Sequence, residues 1–139
     1  MSGIGIDVVH LPSFRDQLVD PGSAFVAGTF TRAEIAASEG RADGDPARHL
    51  AARFAAKEAF LKAWASMHWG EALRLEPPID LREIEVELDA WGRPRLVLTG
   101  AVARTIGPVR ALVSMSHDGP IATAIVQLAP EHRTEATDE

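Results

Sequence analysis

At 139 residues, 46% of them apolar and with a net charge of −6, the chain has the size and composition of one domain with its own core. It holds no cysteine, which excludes disulfides and thiolate metal sites. Half of the net charge lies in residues 129–139, where Glu131, Glu135, Asp138 and Glu139 face Arg133 alone, so the rest is mildly acidic and a broad basic surface for nucleic acid is excluded.

No apolar run approaches the roughly 18 residues of a membrane helix, and the start Met1-Ser2-Gly3-Ile4 lacks the basic and apolar regions of a signal peptide. A cytoplasmic protein with neither a membrane nor a nucleic-acid partner is expected.

Residues 3–9 read as a short buried strand with one intruder, Asp7. Residues 12–19 fit one or two helical turns, with Pro12 in the first turn, and Asp20-Pro21-Gly22 breaks the chain. Thr31 and Glu34 stand at capping-box spacing and open a short helix that ends near Gly40. The longest helical stretch, residues 47–68, is rich in Ala, Leu and Lys and free of Gly and Pro. Residues 70–80, with Pro77 and Pro78, read as a loop.

Residues 81–88 alternate Ile84, Val86 and Leu88 with Glu83, Glu85 and Glu87, the pattern of a half-exposed strand. Gly92 marks a turn into a return strand over 95–99, and residues 99–106 fit a short helix stopped by Gly107-Pro108. Residues 110–116 and 121–128 form a hairpin through His117-Asp118-Gly119-Pro120. The expected fold is α+β, one long helix packed on a mostly antiparallel sheet, because helices and strands do not alternate as a doubly wound sheet requires. One domain over 1–128 with a polar, disordered tail over 129–139 is expected.

A carboxylate inside an apolar strand costs several kcal/mol, roughly, unless it is paired or bound to a cation. Asp7 is either such a group or a strand-end acid bonded to a neighbouring N–H. On the long helix Leu50, Phe54, Leu61 and Ala65 fall on one stripe about 60° wide, with Glu58 about 20° beyond one edge and Lys57 about 20° beyond the other. Arg53 shares a side with Lys57, and Glu58 with Lys62. Solvated i,i+4 pairs would explain these charges, but a Glu beside the apolar seam can also meet an acid on the sheet. Two oxygen ligands are what Mg²⁺ takes from a protein beside phosphates, and Arg53, Lys57 and Lys62 are what a diphosphate needs.

Ser116, His117 and Asp118 end a strand. Neighbours in an extended chain point to different sides, so they do not line up as a catalytic triad. A polar hairpin turn is the simpler reading. His10, His49, His68 and His132 show no ligand spacing and read as surface or loop residues, and Trp64 and Trp69 as packing residues.

Three segments converge on one family. Gly3-Ile4-Gly5-Ile6-Asp7, the run Arg53-Phe54-Ala55-Ala56-Lys57-Glu58-Ala59-Phe60-Leu61-Lys62, and Ser114-Met115-Ser116-His117-Asp118 resemble the holo-acyl-carrier-protein synthases, in that order and at about that spacing. Phe30-Thr31-Arg32-Ala33-Glu34 and Gly92-Arg93-Pro94 resemble two further elements of that family.

The resemblance implies the short class of 4′-phosphopantetheinyl transferases, homotrimers with active sites between subunits. It implies Asp7 and Glu58 as Mg²⁺ ligands, and Arg53, Phe54, Lys57 and Lys62 near coenzyme A and its phosphates. It also implies Gly92, Arg93 and Pro94 at the adenine end, and Ser116 and His117 as cofactor contacts from a neighbouring subunit. Asp7, Glu58, Lys62 and His117 are the expected catalytic set.

The implied reaction moves phosphopantetheine from coenzyme A to a serine of apo acyl carrier protein, in support of fatty acid biosynthesis. The chain departs from the family where a Gly-rich stretch usually follows the long helix; here stand Ala65-Ser66-Met67-His68-Trp69-Gly70. The stretch 12–25 offers a carrier only Arg15, against Asp16 and Asp20, and Arg32, Arg41 and Arg48 are the other candidates. Rival readings are a Mg²⁺-dependent phosphohydrolase acting on a coenzyme A-like diphosphate, and a non-catalytic trimer that binds coenzyme A.

Overall fold

Two glycines in the first strand decide where the long helix lies. In the computed structural model, which describes residues 1–73 and 78–131, strand β1 (Gly3–His10) carries Gly3 and Gly5 on its inner face. Helix α4 (Pro46–Ser66) crosses that face so closely that a Cβ on Gly5 would stand 2.0 Å from the Ala59 carbonyl oxygen, and one on Gly3 2.1 Å from that of Ala63. Only glycine admits a backbone at this distance.

β1 pairs antiparallel with β5 (Ile121–Pro130), which pairs antiparallel with β4 (Val109–Asp118), in the order β1-β5-β4. The small inward residues Ala122 and Ala124 of β5, with Val126 and Leu128, complete the floor under α4. A second, two-stranded antiparallel ladder joins β2 (Ile84–Leu88) to β3 (Pro94–Leu98). A 3-10 turn at Leu81–Glu83 precedes β2.

The remaining helices are short and wrap the N-terminal half of α4. They are α1 (Leu11–Val19), α2 (Phe25–Thr29) and α3 (Arg32–Glu39); α5 (Gly100–Ile106) follows β3. The capping box expected at Thr31 forms in full: the Glu34 amide donates to Thr31 Oγ1 at 3.2 Å and the Thr31 amide to Glu34 Oε1 at 3.0 Å.

The expected α+β architecture, a long helix on antiparallel sheet, is the observed one. Helix α2 was not expected. Five residues containing Gly28 are too short to show a period, and its Phe25 is held by packing on Phe14 (5.7 Å between centroids) and Phe54 (5.4 Å).

The apolar stripe on α4 also needs correction. Phe54 and Leu61 are only half-buried, while Ala51, Ala55, Ala56, Ala59 and Ala63 are fully buried. The helix meets β1 through alanines, so the large residues alone do not mark its inner face. Trp69, expected to pack, is exposed, whereas Trp64 is buried. β5 runs past Leu128 to Pro130, and the expected tail from 132 onward, with His132, lies outside the described residues, as does Pro77.

Candidate active site

Asp7 is an acid on a strand whose other inward residues are glycines and Val9, so it faces α4. The close approach of α4 brings it opposite Glu58. Both line one open cleft of about 310 Å³, walled by Val8, Val9 and Phe54 and by His10, Ser13, Phe14 and Gln17 around the start of α1. Phe54 forms one wall because it stacks on Phe14, with centroids 5.9 Å apart.

Burial, and then the charge of Asp7, push the Glu58 carboxyl above the ordinary range, against the pull of Lys62. Two carboxylates that repel across a cleft are groups that could hold a divalent cation. Among the described residues no cluster of three or more His, Cys, Asp or Glu could hold a metal. Two carboxylates with phosphate oxygens and waters suit Mg²⁺ rather than a metal needing a full protein cage.

Lys62, half-exposed, stands over the same acids. Its Nζ donates to Asp7 Oδ1 and to the Ile6 carbonyl oxygen, both at 3.0 Å. An exposed ammonium paired with one of the two acids can meet an incoming phosphate without leaving its partners. Thr123 Oγ1 donates to the Asp7 carbonyl oxygen at 2.8 Å and ties this part of β1 to β5.

Lys57 does not join them. Its side chain is fully buried on another side of α4, where Nζ donates to Glu34 Oε1 at 2.7 Å and to the Leu81 and Ile84 carbonyl oxygens at 2.8 and 2.9 Å. All three donors of the ammonium are used, so none is left for a phosphate, and the expected contact is corrected to an internal one.

Arg53 is buried as well and donates through Nη1 to the His49 carbonyl oxygen at 3.2 Å. Its Nε and Nη2 have no partner among the described residues, and it does not line the cleft.

Ser116 is in register with Thr123 and, through it, with Val8, on the outer face of the sheet. His117 follows at the exposed strand end. Neither lines the cleft of its own protomer. Gly92, Arg93 and Pro94 sit at the β2–β3 turn, where Gly92 has φ +79°. Asp89 accepts from the Trp91 and Arg93 amides, both at 2.9 Å, and from Arg93 Nε at 2.6 Å.

His10, read from sequence as a surface residue, stands in the cleft wall with Nδ1 2.8 Å from Ser13 Oγ. Its place three residues after Asp7, at the junction of strand and helix, was the available signal.

Residues 3–125 match the 4′-phosphopantetheinyl transferase superfamily, and the chain belongs to it. It is 44% identical over 126 residues to the holo-[acyl-carrier-protein] synthases of Mycobacterium ulcerans and of Mycobacterium tuberculosis H37Rv, covering 91% of this chain and 95% of each relative. Among solved structures, the "Chronobacterium ammoniagenes ACPS-CoA complex" superposes with a TM-score of 0.88 at 41% identity, covering 95% of this chain and 99% of that one. The acyl carrier protein synthase of Mycobacterium tuberculosis gives 0.73 at 40% identity, covering 93% and 97%.

Proposed function

We propose that this chain is a holo-acyl-carrier-protein synthase: it transfers 4′-phosphopantetheine from coenzyme A to a serine of an apo acyl carrier protein and releases adenosine 3′,5′-bisphosphate. The observation that carries the reading is the meeting of Asp7 and Glu58 in one open cleft, with Lys62 paired to Asp7, in a chain that shares most of its length with synthases of that name.

Asp7 and Glu58 are the residues that would hold Mg²⁺. Bound there, the ion supplies charge compensation and alignment for a diphosphate. Lys62, already pinned between Asp7 and the Ile6 carbonyl, neutralises charge that gathers on the leaving bisphosphate. Arg53, expected near the phosphates, is buried and off the cleft and is not assigned to them. Phe54 excludes water from one side of the cleft. The carrier serine attacks the β-phosphorus in line, and the pantetheine–phosphate unit passes to its oxygen as the bond to the departing bisphosphate breaks. Its proton passes to Glu58 or to a water beside it.

The sites lie between subunits of a homotrimer. Ile4, Ile6, Val8 and Leu112, between 58% and 61% exposed, line the outer sheet face together with Ser116. An apolar face of this extent on a small chain suits burial against a second copy. There the neighbour's strand end would bring its Ser116 and His117 to bound coenzyme A, with the Gly92–Arg93–Pro94 turn toward the adenine. Among the described residues no helix is long and apolar enough to cross a membrane. A cytoplasmic place in fatty acid biosynthesis is part of the same proposal.

Mass spectrometry of an apo carrier after incubation with the protein, coenzyme A and Mg²⁺ tests the function. A gain of one phosphopantetheine is expected. An unchanged carrier with coenzyme A hydrolysed would establish the phosphohydrolase reading instead, and an unchanged carrier with intact coenzyme A the non-catalytic one.

A further inference from the structure

The buried ion pair of Glu34 and Lys57 lies outside the cleft, and the transfer chemistry makes no use of it. Both side chains are fully buried, and every polar atom of the pair is engaged. Lys57 Nζ bridges Glu34 Oε1, the Leu81 carbonyl and the Ile84 carbonyl. Glu34 Oε1 also accepts from the Thr31 amide and Oε2 from the Val86 amide, both at 3.0 Å. One lysine of α4 is thereby tied to the start of α3, the 3-10 turn and β2.

Lys57 precedes Glu58, so the point that is tied and the acid that faces Asp7 are about 100° apart on one helical turn. Burying such a pair gives little net stability compared with apolar residues of the same size, and breaking one side of it is costly. What it supplies that apolar packing does not is a fixed angle. The alanine face of α4 on Gly3 and Gly5 has little relief to resist rotation, since small side chains interlock weakly. A rotation of about 10–20° about the helix axis would swing a carboxylate lying ~6 Å from that axis by about 1–2 Å, beyond the tolerance of a metal or catalytic constellation.

We propose that Glu34 and Lys57 are positioning residues: their buried pair fixes the rotation of α4 and so holds Glu58 at the distance from Asp7 at which both acids grip one divalent cation. This rests on reading the cleft as a cation–diphosphate site. The sequence signal is the spacing of Glu34, the capping-box acid, which serves as cap and counter-ion at once. That double use ties the start of α3 to the middle of α4.

The test measures Mg²⁺ binding in the presence of coenzyme A by titration calorimetry, for the wild type, Glu34→Gln, Lys57→Met and a control. Glu34→Gln keeps the size and one acceptor oxygen, and removes the charge and the second acceptor. Val102→Ala, in the buried face of α5, is the control that lowers stability without touching the network. The Mg²⁺ dissociation constant is expected to rise about tenfold in Glu34→Gln and in Lys57→Met, with the Mg²⁺ needed for half-maximal transfer rising in parallel. The KM for the carrier is expected to stay within about twofold. Val102→Ala should lower the melting temperature and leave Mg²⁺ affinity unchanged.

Folded variants that bind Mg²⁺ as the wild type does would overturn the proposal. So would failure of both variants to fold, which would make the pair a stability element alone. A wild type that takes up no Mg²⁺ with coenzyme A would instead sink the reading of the cleft itself, and is seen before any variant is made.

Discussion

Gly5 and Ala59 stand so close that no side chain fits between them: a Cβ on Gly5 would lie 2.0 Å from the Ala59 carbonyl oxygen and 2.5 Å from the Ala63 nitrogen. The obstacle is backbone, which cannot step aside as a flexible side chain would. This contact sets the separation of β1 and α4, and through it that of Asp7 and Glu58.

Gly5→Ala is therefore expected to destabilise the fold by about 1–3 kcal/mol, the usual range for overpacking a tight interface. Helix α4 should move outward, and more Mg²⁺ should be needed for half-maximal transfer. Chemical denaturation reads the first effect and a Mg²⁺ titration of activity the second. An unchanged denaturation midpoint would show that the helix has more room than the contact implies.

Glu58→Gln should abolish Mg²⁺-dependent transfer and leave the fold intact, because the change removes a charge and keeps the shape. Near-full activity in Mg²⁺ would remove Glu58 from the metal site. Asp7→Ala should also lose transfer, and without metal its melting temperature is expected to stay the same or rise, since Glu58 loses its repelling neighbour. A large fall in melting temperature would show that Asp7 is chiefly a structural acid.

Stability without divalent metal should depend on pH through Glu58. Burial and the Asp7 charge raise its folded pKa above the unfolded value of 4.5. The folded state then binds the proton more tightly, so the Glu58 contribution to stability is full below the unfolded value of 4.5 and is lost as pH rises through the folded pKa. Mg²⁺ with coenzyme A should cancel much of the fall. Melting temperatures of the wild type and Glu58→Gln across that window check it: the variant should lack this component, and equal slopes would contradict it.

Lys62→Ala should reduce the transfer rate by about 10²-fold or more, the scale of losing one charge-stabilising group. Stability should change by no more than about 1 kcal/mol, because the Lys62–Asp7 pair is largely exposed on the lysine side. Steady-state kinetics beside a denaturation curve separates the two; loss of folding with loss of activity would make Lys62 structural.

Ile4→Glu and Ile6→Glu put charge on the outer sheet face without touching the core or the cleft. They are expected to turn the proposed trimer into a monomer in sedimentation experiments and to lower transfer with it. A monomeric wild type would remove the trimer, and variants that stay trimeric would place its interface elsewhere.

Much of the fold was legible in the residues, for reasons that can be named. The Thr31–Glu34 spacing has one good structural solution, and the absence of Gly and Pro from the middle of α4 leaves a long helix as the simplest state. Asp7 stood out as a candidate because an acid in an apolar strand needs a reason to be there. The rotation of α4 was not, since counting Leu and Phe set Lys57 and Glu58 as equals on either side of a stripe. The informative pattern was the pairing of Gly3 and Gly5, two apart on a strand, with Ala59 and Ala63, four apart on a helix. That pairing marks a small-residue interface and leaves Lys57 on a buried flank.

The shared grip of Asp7 and Glu58 on one divalent ion is tested most directly by anomalous scattering from crystals grown with Mn²⁺ and coenzyme A. A single peak bounded by the two carboxylates and the diphosphate is expected. A peak outside the cleft, or none within reach of both acids, would contradict the site.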